Sequence, residues 1–270
     1  MRIGFIGAGR MGFTLGKHLI SGGAKVVGYF SRSILSAKEA AAFTDTSYYE
    51  TIEALVADCD VIFLTVPDGQ IAVIAEELDR LGSSLRNKIL VHTSGALSSR
   101  IFSKMRTPVH GCSIHPIYAT SSKYESYKGF ERAFMTLEGD ETAIAYFEPL
   151  FKELGHKTKV ISPEDKVRYH AACVMASNLV IGLYSMAVEN FEACGFEGAE
   201  AEEALMPLFK NNAENLAAYG MRDALTGPVA RGDMETVRKH KEVLAGDSLA
   251  AYEVLTNALV KLVDAGRENG

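Results

Sequence analysis

A glycine-rich segment near the start of the chain, GAGRMG at residues 7–12, constrains the fold more than any other feature of the sequence. It follows a β-rich run at 2–7 and opens a helical pattern over 11–22. In this context the GxGxxG spacing is typical of a dinucleotide-binding turn: the glycines permit a tight turn, close approach to a pyrophosphate, and close packing of helix on strand. The first turn of the helix offers unpaired N–H groups to phosphates. A glycine-rich turn without a ligand is the alternative, which the strand and helix pattern that follows disfavours.

Strand-like and helix-like segments alternate through the first two-thirds of the chain. The strand-like runs are 2–7, 25–30, 60–66, 88–94, 108–114 and 132–139, with 157–162 as a further edge strand; helical patterns cover 11–22, 34–43 and 70–82. This order predicts parallel, right-handed crossovers. After Ser162 only helical periodicity continues. The sequence therefore predicts an α/β fold: an N-terminal Rossmann domain with a doubly wound parallel sheet at 1–162, and an all-α C-terminal domain at 163–270.

The composition excludes several classes of partner. Of the 270 residues 47% are apolar and 23% are charged, as in a soluble globular protein. The net charge of −6 has no basic concentration, which argues against nucleic acid and anionic membranes. Four cysteines lack metal-site spacing, no secretory signal is visible, and the apolar run at 179–183 is too short to cross a bilayer. We expect a cytoplasmic protein without a metal site.

The turn after the second predicted strand indicates which nucleotide is bound. An NAD-specific protein usually places an acidic residue there to hold the ribose hydroxyls. The segment GYFSRS at 28–33 instead carries Ser31, Arg32 and Ser33. An arginine can stack on adenine or pair with a 2′-phosphate, and hydroxyls can donate to the same phosphate. A solvated loop arginine is the alternative. The missing acid favours NADP(H).

The next predicted strand ends in Thr65-Val66-Pro67, at the edge where open α/β sheets bind ligands. We expect Asp68 to cap the following helix rather than to act in catalysis. The residues predicted to hold the cofactor are Gly7, Ala8, Gly9, Arg10, Met11, Gly12, Ser31, Arg32, Ser33, Thr65, Val66 and Pro67.

Two further segments follow strands that end at the same cleft. Ser94 and Gly95 lie between a strand and a helical run, where a hydroxyl and backbone N–H groups suit a carboxylate. Ser94 as a helix N-cap is compatible with that role. His115 follows another predicted strand, with Pro116 enforcing an extended exit. For His115 a structural and a catalytic role stay open.

The segment SPEDKVRYHAACVMASN at 162–178 begins with a strong helix-start signal: Ser162 as N-cap, a proline, and two acids. At helical spacing Lys166, His170, Cys173 and Ser177 share one stripe, with Asn178 on its flank. The surrounding positions are mostly small or apolar, so an exposed face with routine charges is the weaker interpretation. A polar stripe on the first helix after the Rossmann domain can project into the cleft.

The blocks HTSGAL, SIHP, KVRYHAACVMASN and LTGPVARGD carry a family resemblance that spans nearly all of the chain. The chain resembles the superfamily of ketopantoate reductase, 3-hydroxyisobutyrate dehydrogenase, pyrroline-5-carboxylate reductase and 6-phosphogluconate dehydrogenase. More closely, it resembles bacterial Rossmann-like oxidoreductases with an uncharacterised all-helical C-terminal domain. Some of these are thought to act as alternative ketopantoate reductases.

The resemblance implies roles for particular residues. A lysine that opens the interdomain helix acts as general acid or orients the substrate, and it corresponds to Lys166; His170 stands where relatives place an asparagine. Ser94 and Gly95 match the substrate-carboxylate loop of the hydroxyacid dehydrogenases, and His115-Pro116 is locally similar to a segment of prephenate dehydrogenases. The segment 222–233 is similar to the loop that completes the site in the helix-swapped dimer of pyrroline-5-carboxylate reductases.

From the residues alone, the loop at 222–233 has Gly-Pro punctuation, with Thr226 and Arg231 as candidate anion contacts. The leading hypothesis is an NADPH-dependent reductase of a small 2-oxo acid such as ketopantoate. Lys166 would donate the proton, with His115 or His170 as alternatives, while Ser94, Gly95, Asn178, Thr226 or Arg231 would bind a small carboxylate substrate. Reduction of a cyclic imine and a non-catalytic NADPH-binding sensor are the rivals. Apolar segments at 179–188 and 248–263 predict a homodimer through the helical domain.

Overall fold

A computed structural model describes residues 1–267 of the chain. The chain divides into two compact units, 1–173 and 174–270. The sheet-bearing unit thus extends eight residues into the first helix after Pro163–Asp165, because that helix begins at Lys166 and the unit ends at Cys173. The predicted domain boundary near 162 stays a prediction.

The first unit is an eight-stranded sheet between helices, as the alternating pattern predicts. Its strands are β1 (Arg2–Ile6), β2 (Lys25–Phe30), β3 (Ser47–Tyr49), β4 (Val61–Leu64), β5 (Ile89–His92), β6 (His110–Ile117), β7 (Phe134–Gly139) and β8 (Thr158–Val160). Its helices are α1 (Arg10–Ser21), α2 (Ile34–Thr44), α3 (Ile52–Asp58), α4 (Asp68–Asp79), α5 (Glu141–Glu153) and α6 (Lys166–Met175). The strand order is β3-β2-β1-β4-β5-β6-β7-β8. The predicted Rossmann-type sheet is confirmed.

Burial of both faces of the sheet explains why its central strands are continuous apolar runs. Along β4, Phe63 belongs to one buried cluster and its neighbours Ile62 and Leu64 to another. The first cluster packs α1, α2 and α5 on one face, and the second packs α3 and α4 on the other. Side chains alternate between faces along a strand, so a wholly apolar strand can supply both cores.

The strand order reverses between β1 and β4, and this reversal positions the ligand site. From β1 the chain adds β2 and β3 on one side, and from β4 it continues outward on the other. The glycine turn follows β1 and Thr65 follows β4, and the two strands pair in parallel up to Ile6 and Leu64. Ligands of open α/β sheets bind at such a switch point, outside the carboxyl ends of the strands.

Two details of the sheet differ from the prediction. The strand that contains His115 does not stop before it: β6 runs on to Ile117 and pairs antiparallel with β7, Pro116 lying opposite Met135. Its parallel pairing with β5 ends at His92 opposite Ser113. His115 therefore lies two residues beyond Ser113, the last residue of β6 that pairs with β5, so it reaches the carboxyl-end edge from within a strand.

The helix-start signal at 162 is confirmed in geometry, because Ser162 Oγ accepts the backbone N–H of Asp165 at 3.2 Å. A short 3₁₀ turn, Pro163–Asp165, leads into α6. The predicted single helix is interrupted, however: α6 ends at Met175 and α7 (Asn178–Glu192) begins after Ser177, which has non-helical φ −131° and ψ −91°. Asn178 consequently lies on a different helix from Lys166.

Within the residues that the structure describes, the second unit contains helices and connecting turns but no strand. Besides α7 it contains α8 (Gly198–Asp223), α9 (Pro228–Arg231), α10 (Met234–Val243) and α11 (Gly246–Arg267). A kink at Gly220, with φ +79°, divides α8. The stretch Pro163–Glu192 is long and apolar enough to cross a membrane, with a mean hydropathy of 1.7, although length and composition alone are weak evidence of a span.

Candidate functional site

The glycine turn after β1 has the geometry that a phosphate cradle requires. Gly7 has φ +110°, and a side chain there would collide with the carbonyl oxygen of Thr65. A Cβ on Gly12 would lie 2.5 Å from the carbonyl oxygen of Gly7, so this glycine allows α1 to approach the strand. Gly9, the N-cap of α1, has open space around it. The turn is thus tightly packed behind Gly7 and Gly12 and open at Gly9, where a pyrophosphate would approach.

Thr65 ties the two strand ends of the switch point together. Its Oγ1 donates to the carbonyl oxygen of Gly7 at 2.7 Å, and its backbone N–H donates to the carbonyl oxygen of Ile6 at 2.9 Å. The backbone N–H of Gly7 in turn donates to the carbonyl oxygen of Phe30 at 2.8 Å, at the end of β2. Since these bonds use backbone groups of three adjacent strand ends, the turn is fixed before any ligand binds.

A cavity of about 190 Å³ opens at this point. It brings together most of the residues predicted to hold the cofactor: Gly7, Ala8, Gly9, Ser31, Arg32, Thr65, Val66 and Pro67. Ser36 and Gln70 also line it, although neither was predicted. Arg10, Met11, Gly12 and Ser33 do not line it. The residues present fit the adenosine and pyrophosphate portion of a dinucleotide, since the cavity combines the open glycine turn with a basic, hydroxyl-bearing wall.

The turn after β2 forms one side of this cavity, and it contributes no carboxylate to the lining. Arg32 is exposed and Ser31 is half-buried beside the cavity. Ser33 is occupied otherwise: it is the N-cap of α2, and its Oγ accepts the backbone N–H of Ser36 at 3.3 Å. Ser36, one turn into the helix, lines the cavity instead. A direct contact between Ser33 and a phosphate stays a prediction. The hydroxyl of Ser33 already caps α2, which disfavours that contact.

The loop that follows β5 is organised around Ser94, which is buried. Its Oγ donates to Asp68 Oδ2 at 2.6 Å and accepts the backbone N–H groups of Ala96 and Leu97 at 3.2 and 3.0 Å. A hydroxyl has one donor and two acceptor positions, so Ser94 Oγ is fully engaged. The structure therefore leaves no hydroxyl donor at Ser94 for a substrate carboxylate. Asp68 is the first residue of α4, whose N-cap is Pro67, and it links the loops after β4 and β5.

Lys166 reaches this loop from the first turn of α6. Its Nζ donates to the carbonyl oxygen of Ser94 at 2.9 Å and to Ser113 Oγ at 2.6 Å, and Ser113 Oγ donates to the same carbonyl at 3.2 Å. The side chain is only 1% exposed. Burial lowers the pKa of Lys166 to about 8, partly opposed by the buried carboxylate of Glu138. A lysine that titrates near neutral pH is suited to proton transfer.

Two histidines meet at Gly95, the residue after Ser94. A Cβ on Gly95 would collide with Nδ1 of His170 and lie 2.9 Å from Nε2 of His115. The two rings are 5.8 Å apart and nearly perpendicular. His170 Nδ1 is buried and has no hydrogen-bond partner among the described residues. Glycine at position 95 is what allows both rings to approach the loop, a constraint that the sequence pattern does not reveal.

The other ring nitrogen of His115 contacts Tyr169. His115 Nδ1 lies 2.7 Å from the Tyr169 hydroxyl, which also accepts a hydrogen bond from Thr136 Oγ1 at 2.8 Å. Burial, followed by the charges of Lys166 and His170, lowers the pKa of His115 to about 4. Burial raises the pKa of Tyr169. At neutral pH, His115 is a neutral imidazole held by a protonated phenol.

Behind the loop lie two buried residues that were not predicted. His92 Nδ1 accepts the backbone N–H of Ser94 at 3.3 Å, and burial, then the charge of Lys166, lowers the pKa of His92 to about 4. Glu138 accepts the N–H and Oγ–H of Ser99, both at 2.7 Å. Sequence spacing gives no signal for the Glu138–Ser99 pair, because it joins β7 to the segment after β5. The His92–Ser94 contact spans only two residues, but no sequence pattern marks it.

The remaining predicted residues belong to the second unit. Asn178 is the first residue of α7, Thr226 precedes α9, and Arg231 ends α9; all three are exposed. Their participation in the site stays a prediction. Within residues 1–267 no group of three or more His, Cys, Asp and Glu side chains is arranged to hold a metal ion.

Two family models match separate parts of the chain. Residues 1–116 match the family model of a Rossmann-like domain, and residues 133–259 match a domain of unknown function, DUF2520. The second match begins at β7, so it includes the last two strands of the sheet as well as helices. No curated protein matches the chain.

Several solved structures are similar over nearly their whole length. A protein from Thermotoga maritima is 28% identical with a TM-score of 0.78, covering 98% of this chain and 99% of its own. A candidate NADP oxidoreductase from Bacteroides fragilis is 22% identical with a TM-score of 0.70, at 96% and 98% coverage. A pyrroline-5-carboxylate reductase from Coxiella burnetii is 18% identical with a TM-score of 0.62, at 97% coverage of both. The last two likenesses show the fold alone.

The fold and the glycine turn define a Rossmann-type protein whose turn after β1 has the shape of a dinucleotide cradle. The chain combines a Rossmann-like domain with a DUF2520 domain, as its resemblance to Rossmann-like proteins with an uncharacterised C-terminal domain implied.

Proposed function

We propose that the protein is an NADPH-dependent oxidoreductase that reduces the carbonyl group of a small 2-oxo acid, with ketopantoate as the first substrate to test. The observation that carries this proposal is the buried ammonium of Lys166 at the Ser94–Gly95 loop. That loop follows β5, and the nucleotide cavity follows β1 and β4, at the same edge of the sheet. A proton source and a dinucleotide cradle at one edge are the two requirements of a nicotinamide-dependent reductase.

The cradle would hold the cofactor through backbone and side-chain groups. The N-terminus of α1 at Gly9 would take the pyrophosphate, and Arg32, Ser31 and Ser36 would face the 2′-phosphate. The absence of an acidic residue at the end of β2 supports NADP(H) over NAD(H). When bound, the reduced nicotinamide supplies the hydride.

Lys166 is the proton donor that we assign to the substrate oxygen. With a pKa of about 8 it is mostly protonated at neutral pH, yet less costly to deprotonate than an exposed lysine. The buried ammonium has three N–H donors, and two of them serve Ser94 and Ser113, so the third is left for the substrate oxygen. His115 and His170 are the alternative donors, and the low pKa of His115 makes a charged imidazole costly there.

The substrate carboxylate requires a different partner from the Ser94 hydroxyl, whose donor already serves Asp68. We propose that backbone N–H groups near Gly95 bind it; Asn178, Thr226 and Arg231 stay the sequence-predicted carboxylate contacts. Arginine suits a carboxylate because its planar guanidinium can donate two parallel hydrogen bonds.

Cyclic imines are a second candidate substrate class. The fold similarity to pyrroline-5-carboxylate reductases from Coxiella burnetii and Streptococcus pyogenes favours this alternative. A protonated imine carries its own proton, so Lys166 would be dispensable for its reduction. The dependence of turnover on Lys166 consequently separates the two classes.

We also propose that the protein forms a cytoplasmic homodimer through its helical unit. Supporting this, α7 exposes large apolar side chains, among them Leu179, Ile181 and Leu183. A groove of about 370 Å³ between α7 and α11 is lined almost entirely by apolar atoms. Contiguous exposed apolar surface of this kind is typical of a protein interface.

The test is a screen for NADPH oxidation against 2-oxo acids, including ketopantoate, and against pyrroline carboxylates. Oxidation of NADPH that depends on a 2-oxo acid and yields the 2-hydroxy acid supports the proposal. Turnover confined to imines would replace it with the second candidate. Tight NADPH binding without turnover of any carbonyl or imine would instead favour a non-catalytic sensor.

A further inference from the structure

The contact between His115 and Tyr169 determines more than the position of the imidazole ring. A neutral imidazole carries one N–H, so one ring nitrogen donates a hydrogen bond and the other accepts. In His115, Nδ1 contacts the Tyr169 hydroxyl and Nε2 faces Gly95. If Nδ1 accepts a hydrogen bond from Tyr169, Nε2 carries the N–H and is a donor at the loop. If Nδ1 donates to Tyr169, Nε2 carries a lone pair and is an acceptor there.

The strengths of the acceptors around the Tyr169 hydroxyl decide the direction of that contact. Thr136 Oγ1 donates to the Tyr169 oxygen at 2.8 Å, and the hydroxyl also interacts with the thiol of Cys173. The phenolic proton goes to His115 Nδ1, 2.7 Å away, because an imidazole nitrogen is a stronger acceptor than a hydroxyl or a thiol. Tyr169 retains this proton at neutral pH because burial raises its pKa. The chain of donors therefore runs from Thr136 to Tyr169 to His115.

We propose that Tyr169 is a positioning residue that, with Thr136, holds His115 in the Nε2–H tautomer, so that a neutral N–H donor faces the substrate beside Gly95. His115 is then the catalytic residue that polarises the substrate, and Lys166 remains the proton source. A neutral imidazole in this role donates a hydrogen bond to the carbonyl oxygen and to the alkoxide that develops from it, without itself losing a proton.

This tautomer discriminates between the two substrate classes, and in this respect the inference rests on the proposed function. A carbonyl oxygen is an acceptor and matches an N–H donor. A protonated imine is a donor and would need the lone pair of the opposite tautomer at the same place. An N–H directed at the loop thus favours a carbonyl substrate. It disfavours an iminium, because the N–H of His115 and the N–H of the iminium would face each other without an acceptor.

The first measurement is the tautomer itself. Nitrogen-15 NMR of histidine-labelled protein with NADP⁺, with His115→Gln used for assignment, distinguishes the two nitrogens without any substrate. We expect the Nε2–H form in the wild type and a shift toward Nδ1–H in Tyr169→Phe, which keeps the ring but removes the hydroxyl. A wild-type protein in the Nδ1–H form, or no change in Tyr169→Phe, would overturn the inference.

The second measurement is the preference between substrates, which uses the full-length enzyme with a 2-oxo acid and a cyclic imine. Tyr169→Phe is expected to lower kcat/KM for the 2-oxo acid about tenfold, the loss expected for one oriented hydrogen bond, with KM for NADPH unchanged. Thr136→Val should act in the same direction, while Thr136→Ser retains the hydroxyl and should restore activity. Tyr48→Phe is the matched control, since Tyr48 is an exposed tyrosine on β3.

The two measurements can contradict the proposed function and the role of Tyr169 independently of each other. An Nε2–H tautomer in a protein that reduces no 2-oxo acid would contradict the proposed function but not the role of Tyr169. Active enzyme whose Tyr169→Phe variant loses no preference for the 2-oxo acid would contradict the role of Tyr169 and leave the proposed function standing. Should Tyr169→Phe fold poorly, the Thr136→Val and Thr136→Ser pair gives the same comparison.

Discussion

The ammonium Nζ of Lys166 donates to the carbonyl oxygen of Ser94 at 2.9 Å, across 72 residues of chain. This bond joins the first turn of α6 to the loop after β5. It also fixes a buried positive charge directly before Gly95, where two imidazole rings converge. The loop is consequently held from one side by a cation and from the other by the carboxylate of Asp68, which accepts from Ser94 Oγ.

Replacing Lys166 with methionine separates catalysis from stability. The variant keeps most of the buried stem but removes a charge whose burial is costly, as the lowered pKa of Lys166 indicates. We expect the thermal midpoint to be unchanged or higher, while kcat on a 2-oxo acid falls by about a hundredfold or more, as for loss of a general acid. Lys159→Met, at an exposed lysine on β8, is the control. Near wild-type turnover of Lys166→Met would remove this lysine from the chemistry.

The lowered pKa of Lys166 predicts two pH profiles. If the ammonium is the proton donor, the rate should decline as pH rises through about 8, the pKa in the folded protein. For stability, the unfolded chain holds the proton up to about 10.5 and the folded protein only to about 8. The unfolded state therefore binds more protons in this window, so the free energy of unfolding should rise with pH between these values. Denaturant titrations of wild type and Lys166→Met test this, since the variant should lack that rise.

His92 predicts a loss of stability in acid. Its folded pKa is about 4 and its ordinary value 6.5, so the unfolded chain binds the extra proton between these values. The free energy of unfolding should then fall as pH drops from 6.5 toward 4, by about 3 kcal/mol from this group. His92→Asn retains an acceptor for the Ser94 N–H and should flatten that part of the pH–stability curve. An unchanged slope in His92→Asn would show that other buried groups, such as His18, are responsible.

Sequence patterns predicted the parts of the structure that depend on local spacing. The strand–turn–helix at Gly7–Gly12, the buried strands and the N-cap at Ser162 each leave a signature within a few residues. Tyr169, Ser113 and Thr136 leave none, because their importance arises from contacts between β6, β7 and α6 that spacing along the chain does not encode. The short exposed strand β3 lacks a strong periodic signal and was not predicted. Helix α5 was not predicted either, although its buried residues Ala143, Phe147 and Phe151 recur every four residues.

Arg32 should determine the preference for NADPH. It is exposed beside the nucleotide cavity, in the turn where NAD-specific proteins carry an acid. Arg32→Ala is expected to raise KM for NADPH about tenfold or more, as expected from the loss of an arginine–phosphate pair, and to leave KM for NADH nearly unchanged. Arg86→Ala, at another exposed arginine, should change neither constant. Equal effects on both cofactors would argue that Arg32 contacts the adenine rather than a 2′-phosphate.

Gly95→Ala should impair the site through steric displacement alone. The added methyl group would collide with His170 Nδ1 and crowd His115 Nε2, so at least one ring must move. We expect kcat/KM to fall about a hundredfold with NADPH affinity retained, because small misplacements of catalytic groups carry large penalties. Gly69→Ala is the matched control: it lies on α4, its Cβ would meet open space, and alanine favours the helix. Wild-type kinetics for Gly95→Ala would mean that the rings can retreat without cost.

The exposed apolar face of α7 predicts self-association. Ile181 is 69% exposed on this helix, and the stretch 163–192 has the hydropathy of a membrane span. A second copy of the chain would cover such a face, so light scattering at micromolar concentration should give twice the chain mass of 29.3 kDa. Ile181→Lys should shift the protein toward the monomer, because a desolvated charge at an interface is costly. Val73→Lys, at an exposed apolar residue of α4, should leave the mass unchanged. A monomer that instead sediments with lipid vesicles would assign this face to a membrane surface.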